Sequence, residues 1–382
     1  MTKNLNLGDS TNQQANHVFV FLEIFAREGG IQSYVKDIFR AYLGLDAGYQ
    51  AEVFLLRDNP DSLNPFECDR LRFNYFQNKS PQMGRITMAG ALFKYLLQKR
   101  PQRVFCGHIR LAVLIQTLCQ PLGIPYTILT YGKEVWHPLA KREQRALAVA
   151  KDVWTISRYS RDQACAANRI EPHKVKMLPC AIDGDQFTPG AKSAELLIKY
   201  GLADSKVIMT VARLWSGDIY KGVDVTIRAL PKILQAFPDV KYLVIGRGDD
   251  QPRLAQLAQD LGVSDRVVFA GFVPTEQLIA HYHLADAYIM PSQEGFGIVY
   301  LEAMACGIPV LSGDNDGSAD PLQDGKVGWQ VPHRDPEAVA AACIEILQGE
   351  DQRCHGQWLR EQAIANFGQA ALQRQLLSLL ES

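Results

Sequence analysis

Eleven short apolar segments recur along the chain with helical sequence between most of them, and no other feature limits its fold as strongly. In the first half they fall at 17–22, 51–56, 104–106, 126–130, 153–156 and 175–178; in the second at 206–211, 241–245, 266–269, 287–290 and 309–311. Continuous apolar runs of this length read as strands buried on both faces, and a helix between consecutive strands makes a sheet parallel. The expectation is an α/β protein of two doubly wound domains. Their boundary is expected in PCAIDGDQFTPG (179–190), where two prolines, two glycines and acidic turn formers cluster. That gives domains at 1–185 and 186–357. Helical sequence after Asp335, and again at 358–380, has no strand left to alternate with.

Composition narrows the function classes. A chain of 382 residues, 47% of them hydrophobic, can fill two cores. A net charge of -1 supplies no global field for nucleic acid, so no such partner is expected. The eight cysteines are scattered without a C-x-x-C pair, which points to reduced thiols and away from structural zinc. No run approaches the roughly twenty apolar residues of a membrane span, and the polar start MTKNLNLGDSTNQQANH does not read as a signal peptide. A cytoplasmic protein is expected.

Two segments of the second half set charged residues beside glycine. In PSQEGFGIVYLEAMACGIPV (291–310), the strand at 287–290 leads through a loop carrying Glu294 into a helix starting near Ile298, with Glu302 about one turn inside. Gly295 and Gly297 remove side chains from the turn, leaving N–H groups at the helix start open to an anion. Carboxylates accept from sugar hydroxyls and N–H groups donate to phosphate oxygens, a combination suited to a diphosphate flanked by hydroxyl-rich groups. The plainer alternative is a helix whose glutamates cap its start and face solvent. In VIMTVARLWSGDIYKGVDVTIRAL (207–230), a strand ends at Val211, Arg213 and Lys221 flank a loop, and Gly222 opens a helix with Val223, Ile227 and Leu230 on one face. Two cations beside a helix start suit phosphate; two solvated surface cations are the other reading. Asp314 and Asp316 in SGDNDGSAD read as turn formers, with a metal site as the alternative.

In their order and spacing these segments resemble the E-x7-E and Arg-and-Lys motifs of retaining glycosyltransferases of the GT-B fold, particularly family four (glycosyl transferases group 1). The likeness extends over most of the chain. It implies two doubly wound Rossmann-like domains facing across a cleft, with a C-terminal helix, 358–382, crossing back onto the first. It implies transfer of a hexosyl unit from a UDP- or GDP-sugar to a hydroxyl acceptor in glycan, polysaccharide or glycolipid synthesis, with no metal or further cofactor required. Glu294 would contact the transferred sugar and Glu302 the ribose. Arg213 and Lys221 would hold the diphosphate, joined by the helix start at Gly295, Phe296, Gly297 and Ile298. Gly246 in VKYLVIGRGDD (240–250) matches the family's corresponding turn; that turn also invites a dinucleotide reading but lacks the third glycine of the fingerprint. Two rivals stay open, a GT-B sugar-nucleotide epimerase and a non-catalytic nucleotide-sugar binding protein.

The first domain would carry the acceptor side. Gly29–Gly30 corresponds to the family's glycine loop near the leaving phosphate, a plain turn before a helix being the alternative. His108 stands at a strand end, where it either positions the acceptor or sugar or serves the structure. Many relatives show His-Gly where this chain has Tyr131–Gly132, which puts a catalytic histidine there in doubt. Between Arg70 and Arg110 the chain has nine Lys or Arg and no Asp or Glu, and Met88, Leu92, Tyr95 and Leu96 lie at helical spacing among Lys94, Lys99 and Arg100. This segment reads either as a basic amphipathic surface meeting anionic lipid or a lipid-linked acceptor at the inner face of a membrane, or as a solvated face over an ordinary core.

Overall fold

A computed structural model describes residues 15–382 other than 28 and 47. The chain divides into two compact units. The first takes in the chain up to Thr155, then 163–176 and 376–382; the second comprises 156–162 and 177–375.

The first unit is built on β1 (Ala15–Phe21), β2 (Tyr49–Leu55), β3 (Leu71–Tyr75), β4 (Arg103–Cys106), β5 (Tyr126–Leu129), β6 (Asp152–Thr155) and β7 (Val175–Met177). Helices α1 (Gly30–Gly44), α2 (Pro81–Lys99), α3 (Ile109–Cys119) and α4 (Lys141–Val149) join them, and α5 (Arg158–Asn168) is divided between the units. The sheet order is β3-β2-β1-β4-β5-β6-β7, with Phe19 of β1 opposite Val53 of β2 and Phe105 of β4 in parallel register. The second unit holds β8 (Lys206–Val211), β9 (Val240–Ile245), β10 (Val267–Gly271), β11 (Ala287–Met290), β12 (Val310–Gly313) and β13 (Trp329–Val331), ordered β10-β9-β8-β11-β12-β13. Its helices are α6 (Ala194–Tyr200), α7 (Val223–Ala236), α8 (Gln251–Asp260), α9 (Thr275–Tyr282), α10 (Ile298–Ala305), α11 (Pro336–Gln348) and α12 (Gly356–Phe367). Val223, Ile227 and Leu230 of α7 are buried in its core, as their spacing predicts.

These topologies decide where function can sit. A doubly wound sheet runs outward in both directions from its first strand, so the loops leaving the two strands at that reversal diverge and open a crevice at the strands' C-terminal ends. The reversal lies between β1 and β4 in the first unit and between β8 and β11 in the second. The loops concerned carry Gly29–Gly30 and His108, then Arg213 and Glu294.

Two strands escape the apolar-run criterion. β3 is the edge strand, and its sequence LRFNY buries only alternate positions, so Arg72 and Asn74 hide it inside the basic segment. β13 is three residues long. The 358–382 segment, read as one helix in sequence, is interrupted at Gly368, where α13 (Gln369–Glu381) begins. Gly368 also bridges Ile182, and only Leu376–Ser382 belongs to the first unit.

On α2 the structure separates two apolar faces. Met88, Leu92 and Leu96 are wholly buried beneath the sheet and belong to the core, as the plainer reading of that segment has it. The exposed apolar face is a different one: Met83, Ile86, Phe93 and Leu97 are 49, 64, 44 and 45% exposed. At 100° per residue these four fall on a single side of the helix, opposite the core face. Among the described residues no helix is long and apolar enough to cross a membrane.

Candidate active site

At the reversal of the second sheet, the loops after β8 and β11 are pinned side by side. Gln293 N donates to Tyr220 O at 3.1 Å, and Lys221 Nζ donates to Glu294 Oε1 at 2.5 Å. Both side chains are mostly enclosed, with 19 and 15% of their surface exposed. Burial pushes the Lys221 ammonium down, but Glu294, Tyr220 and Asp218 together outweigh it and the net shift is upward, so the lysine stays charged. An ammonium has three N–H donors, and this contact engages one. Arg213 lines the same narrow cleft as Lys221 and is 69% exposed. Its guanidinium donates to buried Asp218 at 2.7–2.8 Å and lies over the Trp215 ring, which aims a flexible side chain without covering it.

The loop bearing Glu294 is held at both backbone groups. Glu294 N donates to Asp316 Oδ2 at 2.5 Å, and Gly317 N donates to Glu294 O at 2.8 Å. Asp316 Oδ1 in turn accepts from Ser318 N at 2.8 Å and from the Ser318 hydroxyl. Asp316 is therefore a turn former with a second task, fixing the carboxylate loop; burial pushes its own carboxyl up to about 6 against the pull of these hydrogen bonds.

The start of α10 is open. Its N-cap, Gly297, has φ +87° and no side-chain cap, so no side chain occupies the N–H groups of the first turn. A Cβ there would stand 2.4 Å from the Tyr300 ring and 3.6 Å from Glu294 Cγ, so glycine is required both for the backbone conformation and for the close approach. Phe296 is buried edge-on against Phe367, with ring centroids 5.7 Å apart; only its backbone can meet a ligand. The turn at Gly246 (φ +137°) packs so tightly on the end of β8 that a Cβ would lie 1.8 Å from Ala212 O. This lets the strand pairing continue, with Leu214 N donating to Arg247 O at 3.1 Å.

Glu302 has a partner of its own. Half-buried, it accepts from Tyr282 OH at 2.6 Å, and burial pushes its carboxyl up to about 7 despite that hydrogen bond. The two glutamates of the motif thus stand in different settings, one paired with a cation and one accepting from a tyrosine hydroxyl. Near neutrality Glu302 can offer either a proton or a carboxylate to a hydroxyl-bearing ligand.

In the first unit, Gly29 is the extended N-cap of α1 and its carbonyl accepts from Ser33 N at 3.0 Å. The loop before it is shaped by Asp58, a buried carboxylate that accepts from the N–H groups of Ile24 (2.6 Å), Phe25 (2.9 Å) and Ala26 (2.5 Å). His108 is the N-cap of α3: its Nδ1 accepts from Arg110 N at 3.1 Å, so in the neutral ring the hydrogen sits on Nε2. Burial, with Arg110 and Arg57 nearby, pulls its pKa down to about 4. His108 has the structural role that its alternative reading describes, while Nε2–H remains a donor. Tyr131 is buried, with its hydroxyl donating to Gly107 O at 2.7 Å and its ring edge-on to Tyr34.

Asp58, Asp218 and Asp316 were not singled out in sequence as supports. Only Asp316 carries a local signal, the Asp-x-Ser spacing of a side chain that caps its own turn. Asp58 and Asp316 reach backbone groups of other loops, while Asp218 takes the Arg213 side chain five residues back on its own loop. Among the described residues no three His, Cys, Asp or Glu side chains gather where a metal ion could be held.

Comparison with known proteins follows the same lines. The profile of the family described as glycosyl transferases group 1 matches residues 195–362, which contain Arg213, Lys221, Glu294 and Glu302. The chain is 31% identical over 339 residues to the GDP-mannose-dependent alpha-(1-6)-phosphatidylinositol monomannoside mannosyltransferase of Mycolicibacterium smegmatis, covering 84% of this chain and 86% of that one. It is 29% identical over 345 residues to the corresponding enzyme for the monoacylated acceptor from Corynebacterium glutamicum, covering 86 and 87%. In fold it resembles Anabaena Alr3699/HepE, solved with UDP, at a TM-score of 0.75 with 20% identity, over 96% of this chain and 99% of that one. With two parallel sheets of seven and six strands and this likeness over most of its length, the chain belongs to the glycosyl transferases group 1 family and has its GT-B fold.

Proposed function

We propose that the protein transfers a hexosyl unit, with retention of anomeric configuration, from a nucleotide-diphosphate sugar to a hydroxyl of a lipid-linked acceptor. The observation that carries this is the Lys221–Glu294 pair fixed beside the open start of α10. On this reading the diphosphate lies against the first-turn N–H groups of α10, Lys221 and Arg213. Glu294 accepts from a sugar hydroxyl and Glu302 from the ribose. Three charge-assisted contacts at about 1.5–3 kcal/mol each give roughly 5–9 kcal/mol, a substantial part of the roughly 8–23 kcal/mol that enzymatic rate enhancements represent. The Gly246 turn shapes the donor side, so residues 186–357 carry the donor. Residues 1–185 carry the acceptor side, where the Gly29–Gly30 turn and the His108 Nε2–H serve. GDP-mannose is the first donor to test and a phosphoinositol lipid the first acceptor, because the relatives that match along most of this chain bear those names.

Retention requires the acceptor oxygen to bond to the anomeric carbon from the face that the diphosphate leaves. The bond from that carbon to the phosphate oxygen breaks, and the departing oxygen takes the acceptor's proton, so no separate side-chain base is needed. Lys221 and Arg213 hold the negative charge that collects on the leaving group. Proton NMR of the product formed from GDP-mannose tests the reading: the new linkage has the donor's anomeric configuration, and an inverted linkage would eliminate the mechanism.

A further inference from the structure

A cleft of about 460 Å³ in the first unit lies at the C-terminal ends of β1, β2 and β3, close to His108, whose ring feels the charges of Arg57 and Glu23 in its lining. Arg27, Arg57 and Arg85 reach it from the loops after β1 and β2 and from the second turn of α2, together with the amides of Gln77 and Asn78. Among the described residues its lining holds one acid, Glu23, which stands 3.5 Å from Arg57. Guanidinium groups outnumber carboxylates in this described lining. Asp58, next in the chain to Arg57, adds no pairing partner, because its oxygens are taken by three backbone N–H groups. Among the described residues Arg27 and Arg85 make no ion pair. The 19-residue helix α2 also starts here, without a side-chain cap, so its N-terminal partial charge adds to the same field. Gly84 lets that helix start seat against the loop before it, where a Cβ would lie 2.8 Å from Phe76 O.

We propose that this cleft binds a phosphate group carried on the acceptor, with Arg27, Arg57 and Arg85 as its partners. Guanidinium groups match phosphate oxygens in a planar fork, and a bound anion offsets the mutual repulsion of a cluster of them. The inference rests on the acceptor reading above and deepens it. A membrane phospholipid and a soluble phosphodiester present the same chemistry. The exposed stripe Met83, Ile86, Phe93 and Leu97 beside Arg85 and Lys94, in a segment free of acids, suits a headgroup still in its bilayer.

The test uses the full chain and its R27Q/R85Q and R27K/R85K variants, checked for unchanged melting temperature. Each is titrated with glycerophosphoinositol, with myo-inositol and with GDP, and co-sedimented with phosphatidylinositol or phosphatidylcholine vesicles. The expected result is that R27Q/R85Q loses at least tenfold in affinity for glycerophosphoinositol and for phosphatidylinositol vesicles, that R27K/R85K retains most of it, and that myo-inositol binds none of them appreciably. A loss confined to vesicles assigns the site to the bilayer headgroup, and a loss confined to the soluble probe assigns it to a free phosphodiester. Equal affinity in all three proteins for both probes, or equal binding of myo-inositol and glycerophosphoinositol, overturns the proposal. GDP separates the two readings: it should bind all three proteins alike, and its failure to bind wild type sinks the donor site while leaving the cleft to be judged on its own probes.

Discussion

Lys221→Ala is expected to lower kcat/KM for donor turnover by roughly 10²–10³, the cost of removing one preorganised donor from developing charge. Two effects combine. The phosphate oxygens lose a charged hydrogen-bond donor, worth about 1.5–3 kcal/mol, or roughly 10- to 150-fold. Glu294 also loses the partner 2.5 Å away that holds it in a site where both side chains are mostly out of water. An unpaired carboxylate in that setting swings towards solvent or takes up a proton, and on the proposed reading it then no longer meets the sugar. Because charge on the leaving phosphate grows towards the transition state, much of the loss should fall on kcat rather than KM. Lys221→Arg, which keeps the charge but not the point geometry, should lose less. Initial rates with purified, folded variants check this. An alanine variant within twofold of wild type would show that the pair is structural.

Glu302→Gln is expected to stabilise the protein and weaken the enzyme. The Glu302 carboxyl is pushed from its usual 4.5 up to about 7 by burial, with the Tyr282 hydroxyl working in the other direction. A carboxyl raised in the folded state makes its full contribution to stability below the unfolded value, and that contribution is lost as pH rises from about 4.5 through 7. A shift of that size corresponds to about 3 kcal/mol, an upper figure for a half-buried group. Glutamine imitates the protonated form. The variant should therefore melt higher than wild type at pH 8, by about 1–3 kcal/mol in stability, and match it near pH 4.5. Its donor KM should rise roughly 10- to 150-fold with kcat less affected, because the proposed ribose contact would be much the same in ground and transition states. Wild-type donor affinity should itself increase between pH 6 and 8 as the carboxylate forms. Thermal melts and donor kinetics across that range decide it, and a variant less stable than wild type at pH 8 with unchanged KM would contradict the assignment.

Legibility followed the range of the interactions. β8 and β11 announced themselves because their residues are buried on both faces, and Gly297 because a strand, a turn and a helix meet within ten residues. β3 did not, since an edge strand shows solvent every second residue and its arginine reads equally well as surface charge. Met88, Leu92 and Leu96 show periodicity without direction: spacing reveals that they share a face, but only packing reveals that this face is the core and that Ile86 and Phe93 stand outside. The same limit applies at the site. The motif named Glu294 and Lys221, but their pairing links positions 73 apart in the chain, and the Asp316 contact that fixes Glu294 spans 22. Asp58 serves three backbone groups more than thirty residues away, and no local pattern records such a target.

The central claim is that a diphosphate is held by Lys221 and the start of α10, and a structure of the full chain with GDP-mannose tests it most directly. The account predicts phosphate oxygens within 3.2 Å of Lys221 Nζ and of first-turn N–H groups of α10, with the ribose hydroxyls on Glu302, distances typical of charge-assisted hydrogen bonds at about 2.7–3.2 Å. A nucleotide bound elsewhere, with the Lys221–Glu294 pair untouched and the helix start empty, would contradict it.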